Sequence, residues 1–404
     1  MRILIVTLEY PPYLRGGIGT HVSSLVANLQ ERGHELVVLT FSPNTSSIEQ
    51  EGSVEIVRVA CEKGDLSRFD QGSLSQFYVY ISAEFARTAL SHFEKKGWTP
   101  QVIHCHDFHG FEASSRLRRA LRIPIVSSVH LLHHPLMHWG GEEPPVCYLP
   151  REKAMCTESD HLITVCSGFE ELIHQIYARE AAPTTCIHNG ISIDETGEPR
   201  RPQQGDELCE IVFVGRFTVQ KSIKELLLSA IEVSRLKPNV RYRFAGYFEN
   251  TSYARAVRSA LSQLEFSPEK IVMTGRLNRN EVHSLLKNAD ICMLPSRYEG
   301  VPYSALEAMS HEVPVIGGDT CGITDLIVHE TTGLLCPVHL EDVDDPVTSI
   351  RNPDLSALVD EQIRLIDNVD LRRSLGKAGK ERVIRKHSIK QMVDSVVQVY
   401  DNLV

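Results

Sequence analysis

Short β-rich runs alternate with helical patterns along the whole chain, and this alternation constrains the fold more than any other feature. Each run is apolar and is followed by a stretch with helical periodicity, which is typical of parallel strands joined by crossover helices. The sequence therefore predicts an α/β fold of doubly wound sheets. The predicted strands fall into two groups: residues 3–8, 36–40, 54–59, 102–105, 125–129 and 162–165, then 211–214, 242–245, 271–274, 291–294 and 315–316.

The two groups of strands predict two domains, as does a length of 404 residues, which exceeds the usual size of one hydrophobic core. Residues 194–206 (DETGEPRRPQQGD) are polar and aperiodic, which is typical of a linker. We therefore predict an N-terminal domain over residues 1–193 and a C-terminal domain over 207–387. A last helix within 388–404 carries an apolar stripe and must pack on something.

Ligands of doubly wound domains bind beyond the carboxyl ends of the strands, and two facing domains make a cleft. We therefore expect every site residue to follow a strand. The net charge of -10 argues against a nucleic-acid partner, whose phosphates would need a basic face.

The chain also carries signals of its cellular compartment. Ten cysteines are scattered without a Cys-x-x-Cys pair, which is typical of reduced thiols in a cytoplasm. No apolar run approaches the ~20 residues that span a bilayer. We expect a cytoplasmic protein with no transmembrane segment.

Two carboxylates flank a predicted helix start in the segment Glu299–Glu307, directly after the strand at 291–294. In one interpretation Ser304 and Glu307 form a capping box and Glu299 complements the helix dipole. In the other, the amides of Tyr303 and Ser304 face a phosphate, Glu307 accepts ribose hydroxyls and Glu299 accepts sugar hydroxyls. The local sequence leaves both interpretations open.

Arg216 and Lys221 follow the first strand of the second domain and precede a predicted helix that starts at Ile223. Cations are unfavourable at the positive end of a helix, and Lys224 adds a further one. An anion bound there would remove the conflict. An arginine fork and a lysine suit a diphosphate and its departing charge, although solvated surface cations are the plainer alternative.

A glycine-rich loop, Arg15-Gly16-Gly17-Ile18-Gly19-Thr20, follows the first strand. Backbone amides at Gly16 and Gly17 could approach a phosphate or a sugar, but an ordinary loop fits the local sequence equally well. The sequence argues against a dinucleotide fingerprint, because the third glycine is missing and the next strand ends without an acidic residue.

Seven histidines lie beyond two consecutive strands of the first domain. Clustered imidazoles suit zinc, but the sequence lacks a His-Glu-x-x-His helix and a cysteine pair, so we predict no metal. Contact with a sugar is the alternative for some of them, and loop surface for others. They are His104, His106 and His109, then His130, His133, His134 and His138.

Taken in order, these motifs resemble the large family of retaining glycosyltransferases, group 1, that contains bacterial glycogen synthase-like and sucrose synthase-like enzymes of GT-B architecture. The resemblance covers nearly the whole chain. Its motifs are Glu9-Tyr10-Pro11-Pro12, Gly16-Gly17-Ile18-Gly19, Val165-Cys166-Ser167, Asn189-Gly190-Ile191, Gly215-Arg216 with Lys221, Glu299 and Glu307 followed by Ala308-Met309, and Pro314-Val315-Ile316.

The resemblance implies two Rossmann-like domains with the C-terminal helix returning to the first one. The first domain would hold a hydroxyl acceptor and the second a nucleotide-sugar donor, with UDP-glucose or UDP-N-acetylglucosamine favoured. Transfer would retain the anomeric configuration by front-face attack, and neither a metal nor another cofactor would be required.

The same resemblance implies roles for single residues. Arg216 and Lys221 would bind the diphosphate, Glu307 the ribose and Glu299 the donor sugar. In the first domain, His130 would stand beside the donor sugar and Gly17 would contact the phosphate through its backbone. Together, His130, Arg216, Lys221 and Glu299 would form the catalytic set.

Four positions depart from the family pattern. Pro302 and Glu312 stand where many members have glycine, Ser222 follows the lysine where glycine is common, and Ser192 replaces a frequent aspartate. Pro302 removes one amide from the phosphate loop, so Tyr303 and Ser304 would have to supply the phosphate contact.

Two other functions fit the same architecture. A non-hydrolysing nucleotide-sugar epimerase also has two Rossmann-like domains, although the spacing of Arg216, Lys221 and the two glutamates favours transfer. A non-catalytic sugar-nucleotide-binding protein would explain Pro302 and Glu312. A metal-dependent hydrolase built on the histidines is a third alternative.

Overall fold

The computed structural model describes residues 1–14, 16–61, 71–139, 145–193, 208–249, 251–262, 264–265, 267–340 and 351–404. The predicted linker 194–206 lies outside the described residues, as does Arg15 of the glycine loop. The chain divides into two units: Met1–His134, Pro144–Gly190 and Ile389–Val404 form one, and Pro135–Glu143 and Ile191–Ser388 form the other.

The first unit is built on an eight-stranded sheet in the order β3-β4-β2-β1-β5-β6-β7-β8. Seven strands are parallel, and β3 pairs antiparallel with β4 at the edge. The strands are β1 (Arg2–Thr7), β2 (Glu35–Ser42), β3 (Ser47–Glu51), β4 (Val54–Ala60), β5 (Val102–His106), β6 (Ile125–Val129), β7 (His161–Thr164) and β8 (Thr184–Cys186).

Helices connect these strands as crossovers, which parallel pairing requires. They are α1 (Gly17–Glu31), α2 (Gln71–Lys96), α3 (Phe111–Leu121), α4 (His133–Trp139), α5 (Tyr148–Glu158) and α6 (Ser167–Tyr177). Both faces of such a sheet are covered, so its strands are almost continuously apolar. In β1, five of six residues are buried, from Ile3 to Thr7.

The second unit contains a six-stranded, entirely parallel sheet in the order β11-β10-β9-β12-β13-β14. Its strands are β9 (Cys209–Val214), β10 (Val240–Ala245), β11 (Ile271–Gly275), β12 (Ile291–Leu294), β13 (Val315–Gly318) and β14 (Leu334–Cys336). A two-stranded antiparallel pair follows, formed by β15 (Val338–Leu340) and β16 (Arg351–Pro353).

The helices of the second unit lie between and after these strands. They are α7 (Ile223–Leu236), α8 (Thr251–Leu261), α9 (Arg279–Lys287), α10 (Tyr303–Ser310), α11 (Cys321–Leu326), α12 (Leu355–Asp367) and α13 (Val369–Lys386). The predicted α/β class with two doubly wound, largely parallel, Rossmann-like sheets is therefore confirmed.

The last helix, α14 (Ile389–Asp401), packs into the core of the first unit, as the resemblance implied. Its apolar stripe includes Met392, Val393 and Val396, which are buried in one cluster with Ile3 and Val22. Burial of each such side chain stabilises the folded protein by about 1.5–3 kcal/mol. The first unit is therefore completed by a helix that comes after the second unit in the sequence.

Among the residues that the structure describes, no helix combines the length and the apolar character needed to cross a membrane.

Candidate functional site

The order in which strands are added to the second unit's sheet reverses between β9 and β12. From β9 the chain passes through α7 to β10 and β11, and β12 then pairs with the other side of β9. The loops that leave two such neighbouring strands diverge and open a crevice at the carboxyl edge, which is the usual ligand site of an open α/β sheet. The loop after β9 carries Arg216 and Lys221, and the loop after β12 carries Glu299.

Lys221 and Glu299 meet at this edge. The Lys221 ammonium pairs with a Glu299 carboxylate oxygen, and their side chains are only 11% and 16% exposed. Lys221 is thus not the solvated surface cation that the sequence allowed. A pair this enclosed needs both partners, because removal of one leaves a poorly solvated charge.

Gln220 and Arg297 tie the two loops together beside the pair. The Gln220 side-chain amide donates to the Tyr298 carbonyl at 2.7 Å, and the Arg297 amide donates to the Gln220 carbonyl at 2.8 Å. The Arg297 guanidinium also pairs with Glu225 at the start of α7, at 2.8 Å. These contacts fix the backbone on either side of Lys221 and Glu299.

Glycines allow further backbone to approach both loops. A Cβ on Gly246 would lie 1.9 Å from the Gly215 carbonyl oxygen, and one on Gly322 would lie 2.5 Å from the Gly300 carbonyl oxygen. The Gly322 amide donates to the Glu299 carbonyl at 3.0 Å. Any side chain at either position would displace a loop that carries a predicted site residue.

Ser222 is strained. Its φ of 53° lies in the left-handed region, which costs a residue with a side chain about 1–2 kcal/mol and which explains why glycine is common there. Its hydroxyl is buried and has no hydrogen-bond partner among the described residues. The departure at this position therefore carries a stability cost.

We expect Ser222→Gly to raise the free energy of unfolding by about 1 kcal/mol, or about 2–4 °C in melting temperature for a unit of this size. Relief of the left-handed strain outweighs the extra backbone entropy of glycine. Thermal denaturation measures the change. Ser222→Ala is the control, because it removes the hydroxyl and keeps the Cβ; an alanine variant that gains as much as glycine would assign the cost to the hydroxyl instead.

Helix α10 begins at Tyr303 with Pro302 as its N-cap, and no side chain caps it. Ser304 is consequently the second residue inside the helix, so Ser304 and Glu307 do not form the capping box that the sequence left open. Glu307 lies largely buried in the helix. Burial raises the pKa of its carboxyl, and the nearby positive charge of Arg279 partly offsets the rise.

Arg216 lies in a different environment from Lys221. Its guanidinium pairs with Glu249 at 2.8 Å, and both side chains are more than one third exposed. An exposed pair of this kind contributes little stability and separates readily. Arg216 can therefore exchange Glu249 for an anionic ligand at small cost.

In the first unit, the glycine loop leads into α1, which begins at Gly17 with Gly16 as its N-cap. The Gly16 amide donates to a Glu9 carboxylate oxygen at 3.0 Å. Gly19 packs tightly, since a Cβ there would lie 2.4 Å from a Leu14 methyl carbon. A carboxylate of the motif Glu9-Tyr10-Pro11-Pro12 thus already binds an amide at the loop where a phosphate contact was predicted.

Three histidines cluster at the carboxyl edge of the same sheet. His106 ends β5, His130 follows β6, and His106 Nδ1 lies 3.0 Å from His130 Nε2. His21, on α1, packs edge-on against His130, and its Nδ1 lies 3.0 Å from Asn189 Oδ1. Burial lowers the pKa of all three rings, to about 4 for His21, so each is a neutral imidazole at physiological pH.

The ligand atoms of His21, His106 and His130 lie within 4.8 Å of one another. Neutral imidazoles are the form that binds zinc, so these residues could hold a metal. The bond between His106 and His130 would have to break first. The absence of a metal from the reaction stays a prediction.

Asp107 supports His130. It follows β5 with φ 55°, is buried, and accepts the His130 amide at 2.7 Å. Burial raises the pKa of its carboxyl to about 8. The folded protein therefore holds this acid neutral well above the ordinary pKa near 3.9.

This shift predicts a pH dependence of stability. The contribution of Asp107 is complete below pH ~4 and is lost as pH rises through about 8, because the unfolded chain ionises first. We expect wild type to lose stability relative to Asp107→Asn across that window. Denaturant unfolding at several pH values measures it; parallel curves for the two proteins would mean that Asp107 is ionised in the folded state.

Sequence reasoning had not singled out His21, Asp107, Gln220 or Arg297. Two of them lay within reach: His21 follows Gly17 by one helical turn, and Asp107 directly follows the His-x-His pair. Gln220 and Arg297 gave no signal, because their roles depend on two loops distant in sequence.

Comparisons with known proteins identify the class of protein to which this fold and its charged switch point belong. The family model described as Glycosyl transferases group 1 matches residues 197–382, and Glycosyl transferase 4-like domain matches residues 16–190. The two models together match most of the chain, which belongs to the GT-B glycosyltransferases and is an enzyme of that class.

Three similar proteins illustrate the likeness. A glycogen synthase of Mycobacterium tuberculosis (strain CDC 1551 / Oshkosh) is 29% identical over 352 residues, covering 83% of this chain and 82% of that protein. The structure of sucrose-phosphate synthase from Thermosynechococcus elongatus superposes with a TM-score of 0.79 at 21% identity, covering 100% and 98%. The structure "Trehalose-6-phosphate from E. coli bound with UDP-2-fluoro glucose" superposes with a TM-score of 0.73 at 12% identity, covering all of both chains.

Proposed function

We propose that this enzyme transfers a hexosyl group, glucose or N-acetylglucosamine, from a UDP-sugar to a hydroxyl acceptor with retention of anomeric configuration. The observation that carries the proposal is the enclosed pair of Lys221 and Glu299 at the switch point of the second sheet. A lysine and a carboxylate held at one point can serve the two halves of a nucleotide sugar, the diphosphate and the sugar hydroxyls.

Donor binding would divide the pair. The diphosphate would replace Glu299 as the partner of Lys221, and Arg216 would exchange the exposed Glu249 for the same phosphates. Glu299, released from the ammonium, would accept hydrogen bonds from paired sugar hydroxyls. The two cations would then face the diphosphate, and Glu299 would exchange an ionic partner for neutral hydroxyls.

Helix α10 would hold the rest of the donor. Glu307 lies in this helix with no capping role, so its carboxylate is available to accept ribose hydroxyls. The backbone of Tyr303 and Ser304 forms the first turn, where the helix dipole favours a phosphate. In the first unit, Gly16 and Gly17 would supply amides to the phosphate, displacing Glu9 from the Gly16 amide.

Chemistry at this site would need no side-chain nucleophile and no metal. The acceptor hydroxyl would attack the front face of the sugar as the bond to the diphosphate breaks, and the departing phosphate oxygen would take the acceptor proton. Lys221 and Arg216 would stabilise the charge that develops on the leaving group. His130 would contact the sugar.

The preference for uridine and glucose draws on similar proteins. One relative is named glycogen synthase, and one solved neighbour is bound with UDP-2-fluoro glucose. The acceptor is proposed only as a hydroxyl compound. A cytoplasmic location is supported by ten cysteines that are all free thiols.

The test incubates the full-length protein with UDP-glucose, UDP-N-acetylglucosamine or GDP-mannose and a panel of hydroxyl acceptors, with and without EDTA. We expect a melting-temperature rise with a UDP-sugar, UDP release, and an α-linked product by proton NMR, all insensitive to the chelator. UDP-N-acetylglucosamine converted to its epimer without acceptor would contradict transfer. No thermal shift with either UDP- or GDP-sugars would contradict the donor site.

A further inference from the structure

We infer that His106 is a positioning residue that fixes His130 in the tautomer with its proton on Nδ1, so that His130 offers an N–H donor to a substrate oxygen and does not act as a base. The inference deepens the proposed function, because it rests on contact between His130 and the substrate.

The starting observation is the hydrogen bond between His106 Nδ1 and His130 Nε2, 3.0 Å long. Two neutral imidazoles can share it in two ways, because each ring carries a single proton. Either His106 donates from Nδ1 and His130 accepts at Nε2, or the direction is reversed. A hydrogen bond between two ring nitrogens needs a proton on one of them and a lone pair on the other.

The far nitrogen of His106 decides between the two directions. His106 is 1% exposed, and its Nε2 is buried with no hydrogen-bond partner among the described residues. If His130 donated, the only proton of His106 would sit on that nitrogen as a buried, unpaired N–H group. Orphaned buried N–H groups are rarer than under-satisfied acceptors, so the direction in which His106 donates is favoured.

The surroundings hold the His106 ring in place for this bond. The neighbouring His104 ring lies 4.2 Å away between centroids, and both of its nitrogens are taken, by Tyr400 at 2.5 Å and Ser128 at 2.7 Å. The backbone of His130 is held as well, by the Asp107 carboxyl. Neither ring therefore needs to rotate for the bond to form.

The consequence lies at His130, a residue of intermediate burial. With Nε2 accepting from His106, the proton of His130 is on Nδ1. An N–H donor suits a sugar hydroxyl or an oxygen that gains negative charge, whereas removal of a proton from an acceptor would need a lone pair there. Such a donor agrees with a reaction whose leaving phosphate takes the proton.

The test reads the tautomer directly. Full-length protein with ¹⁵N-labelled histidine is recorded in a long-range proton–nitrogen correlation spectrum near neutral pH, and His130→Asn assigns the His130 signals. We expect the His130 proton on Nδ1 and that of His106 also on Nδ1. A His130 proton on Nε2 in the wild-type protein overturns the inference, whatever the activity.

Variants then separate positioning from stability. His106→Asn places an amide donor where Nδ1 was and should keep the His130 tautomer. His106→Leu should leave the His130 tautomer unfixed. Its kcat should be about tenfold lower than that of His106→Asn, with KM little changed. His104→Phe is the matched control: it keeps an aromatic ring against His106, removes the imidazole that bonds Tyr400 and Ser128, and should leave the tautomer intact. Equal kcat for the leucine and asparagine variants would also overturn the inference.

The tautomer does not depend on a correct assignment of donor or acceptor. If the protein transfers no sugar from any donor but the spectrum shows Nδ1–H at His130, the proposed function fails and the positioning role of His106 stands. If transfer occurs and the spectrum shows Nε2–H at His130, the proposed function stands and the positioning role of His106 fails.

Discussion

Lys221→Ala should lower kcat about 10²–10³-fold while it weakens donor binding less than about tenfold, because removal of one charge-stabilising group costs about 3–4 kcal/mol in the transition state. The diphosphate carries more negative charge as it leaves than it does in the bound donor. A cation beside it therefore binds the transition state more tightly than the ground state, and this difference is what accelerates a reaction. Steady-state kinetics together with direct titration of UDP would separate the two effects.

Lys224→Ala is the matched control for this variant. Lys224 is an exposed cation three residues further along the same segment, in the first turn of α7. It should change kcat by less than about threefold, because an exposed charge acts through solvent. A turnover number that survives Lys221→Ala would remove the lysine from the reaction, even if donor binding fell.

The ion pair itself adds a stability effect that must be subtracted. Loss of Lys221 leaves the Glu299 carboxylate in a site where its side chain is only 16% exposed. We expect Lys221→Ala and Glu299→Gln each to lower the melting temperature, and the double variant to lose less than the sum, because neither charge then remains unpaired. Additive losses would mean that the two groups do not interact.

Most of the fold follows from hydrophobic patterning, because strands buried on both faces must be apolar. All eleven predicted runs coincide with observed strands, and the run at 291–294 matches to the residue. β3 escaped prediction because its sequence, Ser-Ile-Glu-Gln-Glu, is polar and lies at an exposed sheet edge. The three-residue strands β8, β14, β15 and β16 are too short to show a period.

The site was less accessible to prediction than the fold. Periodicity placed Lys221 and Glu299 after strands, but it could not show that β9 and β12 are neighbours. Only that pairing brings the two side chains, 78 residues apart in the sequence, into contact. Whether Ser304 and Glu307 form a capping box depended on where α10 begins. A shift of two residues in that start decides it, and helix boundaries are the least certain part of a sequence pattern.

Glu307→Gln should weaken binding of UDP about 10- to 100-fold, because a hydrogen bond to a charged acceptor contributes about 1.5–3 kcal/mol. The same variant should make the donor-free protein more stable at neutral pH. Burial raises the pKa of Glu307, so the wild-type protein loses stability as pH rises through that pKa. Glutamine cannot ionise and avoids the loss. Calorimetric titration with UDP and thermal denaturation across pH measure the two effects.

The opposite signs of these effects make the experiment decisive. A carboxylate kept for packing or capping would lower stability when replaced, whereas one kept for a ligand weakens binding and leaves the empty protein more stable. The stability gain should vanish in acid, below the ordinary glutamate pKa of about 4.3, where the wild-type carboxyl is neutral in both folded and unfolded states. Ser304→Ala is the control at the first turn: since Ser304 does not cap α10, it should leave the melting temperature nearly unchanged. A Glu307→Gln protein that binds UDP normally would take the ribose contact away from this residue.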